Sequence, residues 1–94
     1  MSISVTVGNH GMCFGGQNLF NVMKEYQKKY NYETKTGFPL KYKYKAKASA
    51  KIYANLKELN EDLNGINGET CEMLMSLFYE SAKRNIDLNI EQGI

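Results

Sequence analysis

His10 and Cys13 stand three residues apart in the run VGNHGMCFGGQN, residues 7 to 18. An imidazole near a thiol is the pairing from which zinc sites and thiol nucleophiles are built. A closed structural zinc site takes four ligands, and this chain adds only Cys71, with no second His. A thiol nucleophile needs a third group to orient the imidazole, and no acid or amide stands at a spacing that identifies it. The same run also lies between a strand-like and a helix-like stretch, where glycine-rich loops turn backbone N–H groups toward phosphates. Neither G-x-G-x-x-G nor G-K-[ST] occurs in it, so the glycines at 8, 11, 15 and 16 read as an irregular loop over residues 8–16. No metal and no cofactor are expected.

Carboxylates cluster at Glu58, Glu61 and Asp62 and again at Glu69 and Glu72. Their spacing puts them on solvent faces or in the first turn of a helix, where solubility and the helix dipole account for them. No acid and base are placed in environments that would push their pKa values apart, as hydrolytic chemistry requires. The reading is of a non-enzymatic protein.

The remaining chemistry is charge. Net charge is +2, yet residues 24–57 hold ten Lys against two Glu, a balance of +8, and residues 58–94 hold one Lys and one Arg against eight acids, a balance of −6. Tyr26, Tyr30, Tyr32, Tyr42, Tyr44 and Tyr53 are interleaved with the lysines, the mixture that tracks phosphates and stacks bases in single-strand binders. Tyr26 and Tyr30 belong to the apolar stripe of a helix, however, and Tyr42 and Tyr44 alternate away from Lys41, Lys43 and Lys45. The block contains no Arg, the residue suited to bidentate recognition of bases and phosphates. The candidate contact residues are Lys24, Lys28, Lys41, Lys43, Lys45, Lys47 and Lys51. Such a basic face suits an acidic protein surface or a nucleic-acid-handling complex, and the function expected is an inhibitor or modulator of another macromolecule. The alternative is nonspecific RNA or DNA binding through counterion release by the same lysines. A composition heavy in Lys, Asn, Tyr and Ile suits an accessory protein of a bacterium or its phage.

These residues must be carried by a small scaffold. Ninety-four residues with 43% hydrophobic content make one α+β domain over 1–94, with a single core and little surface to spare for a cleft. Ile3, Val5 and Val7 alternate with polar residues, predicting a strand over 2–7. Leu19, Val22, Met23, Tyr26 and Tyr30 repeat at helical spacing and predict a helix over 18–30. A second helix over 50–64 follows from Ile52, Leu56, Leu59 and Leu63, and a third over 69–84 from Cys71, Leu74, Met75, Phe78 and Ala82. Ile86, Leu88 and Ile90 predict a closing strand over 86–91.

The stretch PLKYKYKAKASAKIYANL, residues 39 to 56, fits two periods. Counted in twos it is a strand over 40–47 with lysines on one side. Counted in fours, Leu40, Tyr44, Ala48, Ile52 and Leu56 extend one helix from Pro39 to Leu63, and the alanines favour it. The strand is preferred because without it the two terminal strands would pair alone. The sheet is therefore expected to have three strands, packed by three helices.

No apolar run approaches membrane-spanning length, and Met1 to Val7 lacks the character of a secretory leader, so a cytoplasmic protein with two free thiols is expected.

Overall fold

The computed structural model describes residues 2–30 and 41–92. They form an α+β domain in the order β1 (Ser2–Val7), β2 (His10–Gly15), α1 (Gly16–Tyr30), β3 (Lys41–Tyr44), α2 (Ala46–Asn60), α3 (Gly65–Arg84) and β4 (Leu88–Gln92). The sheet is wholly antiparallel in the order β2-β1-β4-β3. Ile3, Val5, Val7, Phe14, Tyr44 and Leu88 are buried, while Ser2, Gly11, Cys13, Gly15, Lys43 and Glu91 on the alternate positions are exposed. The three helices thus cover one face of the sheet and leave the other open.

A fourth strand, β2, occupies most of what the glycine content of residues 8–16 presents as a loop. Its pairing with β1 sets Phe14 opposite Ile3 and Met12 opposite Val5 on the core side, with Gly11, Cys13 and Gly15 opposite Thr6, Ser4 and Ser2 on the open side. Gly8 takes φ +62° in the two-residue turn between Val7 and His10, a conformation that strains any side chain. Gly11 is required by space: a Cβ there would lie 2.7 Å from Thr6 Cγ2.

Both periods of the lysine-rich stretch are used in turn. β3 ends at Tyr44, and Lys45, with φ −65° and ψ 143°, is the extended cap from which α2 starts at Ala46. Lys45 supplies no side-chain cap. Instead the Ala46 N–H donates to Asp87 Oδ1 at 2.9 Å, across from the start of β4, satisfying one of the orphan donors of the helix. The strand is therefore shorter than 40–47, Leu40 lies outside the described residues, and the helix begins four residues before 50. α3 likewise begins before 69: only Asn64 of NGING is an extended cap, and residues 65–68 are helical. It ends at Asn85 in the left-handed conformation, φ 56° and ψ 45°, with the Ile86 N–H returning to the Ser81 carbonyl.

The core sits between the sheet and the helices and centres on Tyr26, Leu56, Leu74, Leu77, Phe78, Val5 and Val7. Phe78 meets the Tyr44 ring edge-on at 5.3 Å between centroids, which ties β3 to α3. Each such apolar side chain contributes about 1.5–3 kcal/mol on burial. Ser49 and Ser81, both fully buried, join α2 to α3 by a hydroxyl–hydroxyl hydrogen bond of 2.8 Å, and Ser81 Oγ also donates to the Ile86 carbonyl. Two hydroxyls are thereby accommodated in the core with their hydrogen bonds made.

Candidate functional site

The turn from β3 into α2 arranges four lysines. With Tyr44 directed into the core, Lys43 and Lys45 stand on the solvent side of the strand end, and all four of Lys43, Lys45, Lys47 and Lys51 are exposed. On α2 the buried positions are Ala46, Ser49, Ile52, Leu56 and Leu59, which leaves Lys47 and Lys51, one turn apart, on the outer surface. The result is a basic ridge that follows the edge strand of the sheet and continues up the first two turns of the helix. Lys41 is in the same strand, paired in register with Glu91.

The ridge is electrostatically open. Lys45 Nζ is 3.8 Å from Asp87 Oδ2, and its side chain remains 76% exposed. Lys43, Lys47 and Lys51 form no ion pair among the described residues. Four cations on about nine residues of chain repel one another, and an incoming anionic surface relieves that repulsion.

Lys24 and Lys28 are exposed on α1, a different element from the ridge. Lys28 lines a shallow groove of about 320 Å³ with Glu25, Lys29, Leu59, Asp62 and Leu63. Lys51, the last lysine of the ridge, is eight residues before Leu59 on α2, which is about 12 Å along its axis. Lys28 therefore does not join the ridge, and acids stand beside it. Lys29 is the most engaged: its Nζ donates to Asp62 at 2.8 Å and lies 3.7 Å from Glu58. The hydrogen bond to Asp62 raises its pKa from the ordinary lysine value.

His10 and Cys13 do not form a centre. An odd separation within a strand sends their side chains to opposite faces. Cys13 Sγ is 3.8 Å from Ser4 Oγ on the open face, whereas His10 Nδ1 lies 2.7 Å from Glu80 Oε2 of α3. The other cysteine, Cys71, is buried in α3 and its S–H donates to the Leu56 carbonyl at 3.5 Å. Among the described residues, no three His, Cys, Asp or Glu side chains gather closely enough to hold a metal ion. A gap of about 10 Å³ bounded by Met23, Tyr26, Tyr44, Ile52, Leu56, Leu74 and Phe78 has room for about one water molecule.

One surface feature escapes sequence reasoning. Tyr53 of α2 and Tyr79 of α3 pair with ring centroids 5.2 Å apart, Tyr79 is 48% exposed, and Lys83 Nζ lies 5.7 Å from its ring centroid. Tyr79 lies in the acidic half of the chain, one position beyond the apolar stripe that ends in Phe78 and Ala82, so charge and periodicity both pass over it. Its place beside Tyr53 depends on the packing of α2 against α3. No helix among the described residues is long and apolar enough to cross a membrane.

No family model matches the chain, and no curated protein or solved structure matches it.

Proposed function

We propose that this protein is a non-enzymatic binding module that modulates another macromolecule by seating its β3–α2 lysine ridge on an acidic protein surface. The observation that carries this reading is the exposure of Lys43, Lys45, Lys47 and Lys51 within nine residues of chain at the β3–α2 turn, with Lys45 the one of the four in an ion pair among the described residues. Complementary charge of this kind speeds encounter and sets orientation. A protein surface is favoured over nucleic acid because the Tyr44 ring, between Lys43 and Lys45, is 4% exposed and packs on Phe78, leaving it no face for a base.

Nonspecific RNA or DNA binding is the second reading, favoured by the exposed Tyr79 ring with Lys83 above it, since an aromatic face beside a cation is a stacking platform. The test is capture of partners from extract by the wild type and by a Lys43→Glu, Lys45→Glu, Lys47→Glu variant, each with and without nuclease. A protein that is retained after nuclease and lost by at least about tenfold in the triple variant supports the modulator. Loss on nuclease treatment supports the nucleic-acid binder. Capture that nuclease treatment and the triple reversal both leave unchanged overturns both.

A further inference from the structure

The two edges of the sheet are built differently. β3 carries Lys41 and Lys43 and leads into Lys45, and lysines along an edge strand discourage pairing with another strand. β2, His-Gly-Met-Cys-Phe-Gly, carries no Lys, no acid and no Pro. Its His10 is engaged with Glu80. Nothing among the described residues pairs with the outer side of this strand.

The register determines which main-chain groups point outward. Val7 and His10 flank a two-residue turn, and such a turn is closed by a hydrogen-bonded pair. Hydrogen bonding alternates along an antiparallel ladder, so His10, Met12 and Phe14 bond to β1, and Gly11, Cys13 and Gly15 direct their N–H and C=O groups out from the edge. These three residues have small side chains or none. Met12 and Phe14 present the core side of the same edge, with Phe14 buried and Met12 half-buried.

We propose that β2 is a self-association edge, on which a second copy of this chain pairs antiparallel about a two-fold axis passing between the two Cys13 residues. That register sets Gly11 opposite the second copy's Gly15 and Cys13 opposite the second copy's Cys13, so all three outward-facing residues are used. It also places Met12 across from the second copy's Phe14, extending the apolar side of the sheet with the same residues that form it in one chain. The self-complementarity of Gly-x-Cys-x-Gly is what selects a second copy over an unrelated extended peptide. The product is one continuous eight-stranded sheet, with a lysine-guarded β3 at each end. A single pair of edge strands buries less than a standard interface, so the dimer is a weak one.

Sedimentation equilibrium of the full chain in reductant tests this, with loading up to about 0.5 mM to suit a small interface. The expected mass rises from 10.7 kDa toward twice that value. Cys13→Lys, which installs at the axis the guard that β3 possesses, is expected to remain monomeric with an unchanged melting temperature. Amide exchange gives a second reading that needs no variant: the Gly11, Cys13 and Gly15 amides should slow by at least about tenfold as concentration rises through the transition. A chain that stays monomeric throughout that range, a dimer that Cys13→Lys leaves intact, or exchange at those amides independent of concentration overturns the proposal. An edge that captures extended peptides while the chain itself remains monomeric overturns it too.

Discussion

The two cysteines show how far placement changes one functional group. Cys13 stands exposed on the open sheet face and Cys71 is wholly buried between α3 and α2. Burial pushes the Cys71 thiol up to about 11 from an ordinary 9.0, with the nearby Glu72 carboxylate acting in the same direction. A folded-state pKa above the unfolded one means that the neutral thiol favours the fold. That contribution is complete below the ordinary thiol range and is lost as pH rises from about 9 toward about 11. The melting temperature of the wild type is therefore expected to fall more steeply over that interval than that of Cys71→Ala, measured in parallel so that tyrosine and lysine titration cancels. Equal slopes would remove Cys71 from the account. A maleimide at neutral pH should label Cys13 in the native protein and reach Cys71 only on unfolding.

Among the elements, α3 organises the rest: it packs along α2, meets α1 and lies over β1 and β4. Leu74 and Phe78 are its central residues, at 0% and 1% exposure. Truncating either to Ala is expected to cost about 2–5 kcal/mol, a large part of the stability of a domain this size. Denaturant titration measures it, and two variants as stable as the parent would mean that this face of α3 does not anchor the core. The apolar spacing of α3 was legible in sequence because Cys71, Leu74 and Phe78 repeat on one side of a helix. Its first turn was not, because Gly65, Asn67 and Gly68 have turn composition and become helical only as part of a long packed element. β2 was hidden for a related reason: its glycines suggest a loop, whereas Gly11 is the residue that the close approach of Thr6 on β1 favours. The change of period at Lys45 was visible as an ambiguity, but its resolution rests on Asp87, 41 positions beyond Ala46, whose carboxylate starts α2. The lysines of the ridge could be named from the sequence. Their separation from Lys28 follows from how α1 meets the far end of α2, which no local pattern encodes.

For the whole molecule, the charge imbalance read along the chain is only partly an imbalance in space. Lys29 is folded against Glu58 and Asp62, and Lys45 approaches Asp87, so the acidic half neutralises part of the basic half and leaves the corner at β3–α2 as an open positive surface among the described residues. The most consequential long-range contact, however, is between strands. β1 lies in the middle of the sheet with β4 along one side, Ile3 in register with Gln92 and Val7 with Leu88. A chain that stops after Asn85 lacks all of β4 and also the Asp87 carboxylate that caps α2. It is expected to lose cooperative thermal unfolding by circular dichroism, and a sharp native-like transition in that truncated chain would show that the helices and the β1–β2 hairpin suffice. The same adjacency has a consequence at the ribosome. At roughly 5 to 20 residues per second, synthesis separates the last residue of β1 from the first of β4 by roughly 4 to 16 seconds. Over that interval Ile3, Val5 and Val7 have β2 on one side and no β4 on the other. The nascent chain must therefore hold its sheet open until β4 has been made, and the chaperones and proteases that meet it first encounter an unfinished β1.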